Sequence, residues 1–255
     1  MRVLLTNDDG IHAPGLRALV EAFSGAHTVY VCAPDRERSA ASHSVSMANP
    51  LHAKPLNMPG AARAWAVDGT PADCAGLGMF LCRDAGLDMV ISGINRGMNQ
   101  GGACIYSGTV GAAMEASMKG AQALAVSLCV DSMRGGDTSD YTVAARLALR
   151  VADWMAGHPL PRGAIYNLNV PPIPYEQLKG LQPARLAPVF LQAAKFDLLE
   201  DEQGPCYRMS GGRPEFAEDM GYDVCMTDRG YASITKLTWD IRMDADDSEL
   251  WEIGL

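Results

Sequence analysis

The stretch Val3-Leu4-Leu5-Thr6-Asn7-Asp8-Asp9-Gly10, running into Ile11-His12-Ala13-Pro14-Gly15-Leu16, decides how the chain is read. An apolar run, a polar turn and a proline-opened apolar segment spell a short buried strand, a loop and a helix. In an extended strand the two adjacent carboxylates would point to opposite faces. In a loop that Gly10 lets turn sharply, both can aim at one point. Two hard oxygen donors converging beyond a strand's carboxyl end suit a divalent cation such as Mg²⁺ or Mn²⁺. An Asn/Asp/Gly turn that merely caps the next helix would look the same on this stretch alone.

Outward from this turn the pattern repeats. A helix that ends near Ser24-Gly25 leads to a second strand, Thr28 to Ala33, which implies a right-handed crossover and a parallel sheet. Its following loop, Pro34 to Ser44, is polar and rich in hydroxyls. Ser44 to Met47 alternates, and an irregular segment then runs through Gly60. Ala64 to Val67 reads as a strand, and Thr70-Pro71 as the N-cap and first position of a helix. Leu87 to Ser92 is another buried strand, feeding a glycine-rich loop that ends at Ser107. A small-residue helix starts at Gly108, a strand covers Ala123 to Leu128, and a turn covers 131–140. A long helix from about Tyr141 to Ala156 and a strand from Ala164 to Val170 close the series.

After Pro171-Pro172-Ile173-Pro174, a stiff corner, the helical rhythm weakens. Leu181 to Val189, Cys206 to Ser210 and Tyr231 to Thr238 suggest hairpins or extended arms. The expected class is α/β, a Rossmann-like doubly wound and mostly parallel sheet with a C-terminal β-hairpin extension. Residues 1–255 are expected to form one domain, with 174–241 a β-rich oligomerisation arm within it. The acidic tail from Asp240 to Glu252 reads as a solvated end, because the oxygen spacing of an EF-hand is absent.

Composition sets the outer limits. The 255 residues are 48% hydrophobic and 20% charged, with a net charge of −9, as in an ordinary globular protein. No basic stripe appears, so DNA, RNA and anionic membranes are not expected partners. An acidic protein can still handle a small phosphate where a metal supplies positive charge. No signal peptide is expected, and no apolar run in the sequence is long enough to cross a membrane. The seven cysteines are scattered without a C-x-x-C pair. They read as thiols of a reducing cytosol, and the expected location is cytoplasmic.

In a doubly wound sheet, ligands sit beyond the carboxyl ends of the strands. Asp8 and Asp9, Ser39, and Asn95 all land there, each after a different strand. Ser107-Gly108-Thr109 opens a helix whose free amides, dipole and hydroxyls can hold an anion. An ordinary N-cap before a close-packed helix accounts for that stretch equally well. No G-x-G-x-x-G follows the first strand, and no P-loop, G-x-S-x-G elbow or H-E-x-x-H occurs, which removes support for those enzyme classes. His12 and His43 lie in these loops without an assignable role.

Five motifs carry a resemblance. They are Leu4 to Ile11, the Ala33-Pro34-Asp35-Arg36 to Ser39 loop, Gly69 to Asp73, Ser92 to Gly97, and Tyr106 to Glu115. In order and spacing they are similar to the SurE family, the survival-protein, metal-dependent 5′-nucleotidases, with a weaker echo at Gly230 to Leu237. The resemblance implies one divalent cation per subunit, Mg²⁺ or Mn²⁺, held by Asp8, Asp9, Ser39 and Asn95. It also implies Asp8 and Asp9 as catalytic residues, and Asn95, Ser107, Gly108 and Thr109 around the phosphate. It implies hydrolysis of nucleoside 5′-monophosphates, with 3′-monophosphates and short polyphosphate as further substrates, and homodimers or homotetramers built through C-terminal arms. Either a metal-activated water or an Asp carboxylate can be the nucleophile.

The chain departs from the family in three places. Ala40 stands where glycine is usual, Ser46 where threonine or a similar residue is usual, and Gly101 to Cys104 where the loop is commonly acidic. The competing expectations are a nucleotide- or phosphate-binding module without turnover and a structural oligomer whose acidic turn is incidental.

Overall fold

In the computed structural model, residues 1–130, 139–188, 192–201, 204–212, 216 and 220–239 are described. Most of the expected 131–140 turn and the acidic tail from Asp240 lie outside these residues. The chain opens with β1 (Arg2–Thr6), α1 (Pro14–Ser24) and β2 (Thr28–Pro34). It continues with β3 (Ala53–Leu56), β4 (Arg63–Val67), α2 (Pro71–Leu81), β5 (Met89–Arg96) and α3 (Gly108–Met118). Then come β6 (Gln122–Leu128), α4 (Thr142–Met155), β7 (Ala164–Val170), β8 (Leu181–Pro183), β9 (Gln192–Asp201), β10 (Gly204–Gly212), α5 (Asp223–Asp228) and β11 (Ala232–Thr238).

The main sheet runs β3-β4-β2-β1-β5-β6-β7-β11-β8. From β4 to β7 every neighbouring pair is parallel. The inner strands are apolar on both faces, as a sheet covered by helices on each side requires. Val3 and Leu5 pack with Leu16, Phe23 and Met155 of α1 and α4. Leu4 and Val90 face the other way, onto Val110 and Met114 of α3. Gly15 lets α1 approach the loop side of β5, since a Cβ there would lie 2.1 Å from the Ile94 carbonyl oxygen.

Strand order explains where the site must be. From β1 the chain builds outward through β2 to β4, and from β5 it builds the opposite way through β6 to β7. The reversal falls between β1 and β5. Loops that leave these two strands diverge to opposite faces and open a crevice.

Three local expectations change. Ser44 to Met47 is not a strand, because its polar groups are turned to α2. Ser46 donates its amide and hydroxyl to Asp73, and Thr70 donates its hydroxyl to the Ser44 carbonyl. Within the segment expected to be irregular, Ala53–Leu56 forms an edge strand antiparallel to β4. Tyr231 to Thr238 is not an arm, for β11 joins the main sheet antiparallel to β7 and covers an edge that would otherwise stand open.

β9 and β10 form a separate two-stranded hairpin. Its register sets Phe196 opposite Met209 and Leu198 opposite Tyr207. Period-two alternation puts these four side chains on one face. All four are more than half exposed.

Candidate active site

Three loops meet near the reversal. The Asn7 side chain donates to the Gly10 carbonyl and accepts from the Gly10 amide, which closes the turn after β1. That turn gives Asp8 and Asp9 different hydrogen-bond partners. Asp8 is 4% exposed and accepts from both the amide and the hydroxyl of Thr109 at the start of α3. Asp9 accepts from the Arg96 amide at 3.1 Å, which places it against the end of β5. The Asp8 carbonyl takes the Arg38 amide at 2.7 Å, drawing the Ser39 loop to the same turn. Gly108 lies so close that a Cβ would stand 3.0 Å from that of Asp8.

Asn95 is aimed by a defect in its strand. The β5–β6 register shifts between Ser92 and Asn95, a bulge of the kind that redirects a side chain at a strand end. Its Nδ2 donates to the Gly97 carbonyl, which leaves Oδ1 as the atom with an open lone pair. Ser39 donates its hydroxyl proton to Glu37 at 2.6 Å, so its oxygen also keeps lone pairs for another partner.

Burial makes the Asp8 charge costly. Burial pushes the Asp8 carboxyl above its ordinary pKa. The Thr109 hydrogen bonds oppose this without winning, and the like charge of Glu37 adds to the rise. A carboxylate buried this way is stabilised by a metal ion, which reverses the local balance. Among the described residues no three His, Cys, Asp or Glu side chains gather as a ligand group. The oxygen donors at the turn, two carboxylates beside neutral side-chain oxygens, are of the hard kind that Mg²⁺ and Mn²⁺ accept. The residues present fit such an ion.

Comparisons with known proteins identify the family. The family profile described as "Survival protein SurE" matches residues 3–192. The chain belongs to the SurE family. It is 40% identical to the 5′-nucleotidase SurE of Geobacter sulfurreducens, over all of this chain and 95% of that protein. It is 42% identical to the 5′-nucleotidase SurE of Aeromonas hydrophila, over 94% and 93% of the two chains. The crystal structure of the SurE protein from Aquifex aeolicus superposes with a TM-score of 0.83 at 29% identity, covering 99% of each chain.

Within this SurE chain the structure adds contacts that sequence alone did not assign. His43 pairs with Glu115 of α3 at 2.8 Å, and Lys119 reaches the same carboxylate at 3.2 Å. His12 is exposed. The Ser39 loop passes through positive φ at Ala40 (57°) and Ser42 (54°). Ala40 thus holds the left-handed conformation that glycine would take without penalty. Ser42 donates its amide to the Tyr106 carbonyl and its hydroxyl to the Ile105 carbonyl, tying this loop to the one that leads into α3. The α3 start is itself ordered by Ser107, whose hydroxyl accepts from the Val110 amide.

Asp73 anchors the same loop from the opposite side. It completes the α2 capping box with Thr70 and takes two bonds from Ser46. Burial alone would raise its pKa, but the bonds from Ser46 and Thr70 prevail and hold it below 3.8. A carboxylate depressed in the folded state contributes stability that is complete above its unfolded pKa and is lost as pH falls through the folded one. Asp73→Asn should lower the unfolding free energy by about 1–2 kcal/mol at pH 7. Urea unfolding across a pH series should show that gap closing below pH 3.8; a gap unchanged to pH 3 would contradict the assignment.

Proposed function

We propose that this chain hydrolyses nucleoside 5′-monophosphates to nucleoside and phosphate, using a divalent cation at the Asp8–Asp9 turn. The observation that carries the reading is the buried contact between Asp8 and Thr109. It joins two carboxylates, which attract a metal, to a helix N-terminus, which attracts phosphate, across one hydrogen-bonded pair. The relatives named 5′-nucleotidase SurE match over almost the whole chain, which supports the same activity here.

We assign one Mg²⁺ or Mn²⁺ per subunit to Asp8, Asp9, Ser39 and Asn95. When bound, it supplies charge neutralisation at the phosphoryl oxygens and lowers the pKa of a water. The protein's own groups do the positioning. Asp8 is held by Thr109 and Asp9 by Arg96, so neither carboxylate must reorganise during turnover. Thr109 spends its amide and hydroxyl on Asp8, and the Val110 amide goes to Ser107. The Ser107 hydroxyl proton and the Gly108 amide are then the donors that face a phosphate most directly. Asn95 adds its side chain from β5. Both 3′-monophosphates and short polyphosphate are further candidate substrates, since the assigned groups read phosphate rather than base.

The same reading assigns assembly of a homodimer or homotetramer to the β9–β10 hairpin. An isolated two-stranded hairpin with an exposed apolar face is marginal in water, and a second copy of the arm supplies what the face lacks.

Phosphate release should be followed with 5′- and 3′-nucleotides and a polyphosphate, with Mg²⁺ or Mn²⁺ present. Release from 5′-monophosphates, and a loss of at least about a hundredfold in Asp9→Asn, is expected because a direct ligand is worth more than an outer-shell partner. Saturable nucleotide binding without release would instead make the chain a binding module. Sedimentation should show an oligomer that the Phe196→Ser, Tyr207→Ser double variant shifts to smaller species; a monomeric wild type would refute assembly through the arm.

A further inference from the structure

Asp223 is fully buried, 0% exposed, at the first position of α5, far in sequence from every residue assigned above. Its Oδ2 accepts from the Gly101 amide at 2.8 Å. Its Oδ1 accepts from the amides of Ala187 at 3.1 Å and Val224 at 3.0 Å. The Gln100 side chain adds two further bonds, to the Asp223 carbonyl and to the Thr227 hydroxyl. A buried charge is costly unless several donors surround it, and here all three donors are backbone amides from separate segments.

Those segments matter. Gly101 begins the short 3₁₀ turn Gly101–Ile105, which delivers the chain to Ser107 and Gly108. The carbonyls of Ile105 and Tyr106 at its far end receive the Ser42 hydroxyl and amide. The turn therefore supports both the phosphate donors and the loop that carries Ser39. Ala187 and Asp223 are the chain's path into and out of the hairpin arm. Arg185 pairs with Gly221 and Asp223 through the backbone at the same root.

We propose that Asp223 is a positioning residue of the active site. Its carboxylate clamps the glycine-rich loop between Asn95 and Ser107 to the root of the hairpin arm. The loop carries Gly97, Gly101 and Gly102 and so has little stiffness of its own. On its other side Asn99 is gripped by Asn167, Asn169 and Ser127 of the sheet. Asp223 supplies the matching grip from α5. It touches no substrate and acts through Gly101. The inference rests on the phosphatase reading for its kinetic consequence but not for its structural one.

The test is Asp223→Asn. An asparagine satisfies the Ala187 and Val224 amides best by turning its one oxygen toward them. Its NH₂ then faces the Gly101 N–H, which loses its acceptor, so the cut is confined to the loop. Two readouts are needed together. Hydrogen exchange of the 97–107 segment should rise at least tenfold while β1 and β6 stay protected. The kcat for nucleotide should fall at least tenfold while Mn²⁺ affinity changes less than threefold, because Asp8 and Asp9 keep Thr109 and Arg96. Exchange unchanged in 97–107, or kcat within twofold of wild type, overturns the proposal. A residue that only stabilised the fold would lower the melting temperature and leave kcat per folded molecule unmoved.

Should Asp223→Asn not accumulate as folded protein, Asp223→Glu keeps the charge but displaces the oxygens from the Gly101 amide. It should raise exchange in the same segment and lower kcat about threefold, and wild-type values in both overturn the proposal. A wild type that releases no phosphate refutes the phosphatase reading instead, and the exchange measurement still decides the clamp.

Discussion

The hydrogen-bonded pair of Asp8 and Thr109 is the constraint on which the rest of the site depends. A carboxylate that is 4% exposed can remain at the end of β1 only if donors come to it. The donors are the amide and hydroxyl at the start of α3, a hundred residues away. To make that contact, the helix must begin against the turn, which is why Gly108 carries no side chain. The pair is also electrostatically unfinished. Burial and Glu37 still push the Asp8 carboxyl upward despite the bonds from Thr109.

From this pair the surrounding loops follow as supports. Arg96 fixes Asp9, Arg38 fixes the main chain of Asp8, and Ser42 ties the Ser39 loop to the 3₁₀ turn before α3. Asp73 holds that loop to α2, and Asp223 holds the turn to the arm root. Each support is a hydrogen bond to a carboxylate or carbonyl, not apolar packing. The packing lies below, in the two apolar layers that flank the sheet. A rigid floor and a polar rim suit a reaction in which the protein mainly positions charge.

The alternation of apolar strands with helices was legible, because each central strand is apolar on both faces and α1, α2 and α3 have a proline or hydroxyl start. The Thr70-Pro71 start and the small-residue helix at Gly108 were legible for the same local reason. The placement of Asp8 and Asp9 just after β1 and of Asn95 at the end of β5, the two strands that flank the reversal, also followed from the strand pattern. What could not be read were pairings between distant residues. Ser44 to Met47 alternates like a strand, but its partners are Asp73 and Thr70 on a helix start. Tyr231 to Thr238 has strand composition in either setting, and only the open edge of β7 sends it to the main sheet. The six-residue α5 is too short to show a period, and Asp223 inside it has no motif around it. That Thr109 gives both its amide and its hydroxyl to Asp8, rather than to a phosphate, likewise depends on a distance that spacing does not encode.

The central claim is that one divalent cation sits at the Asp8–Asp9 turn and faces the α3 N-terminus. Crystals grown with Mn²⁺ and inorganic phosphate, measured at the manganese absorption edge, test it directly. The account predicts a single anomalous peak per subunit, about 2.0–2.3 Å from oxygens of Asp8 and Asp9, with Ser39 and Asn95 bordering the ion and phosphate at Ser107-Gly108. A manganese peak held by other residues, or phosphate-releasing crystals without manganese at this turn, would contradict it.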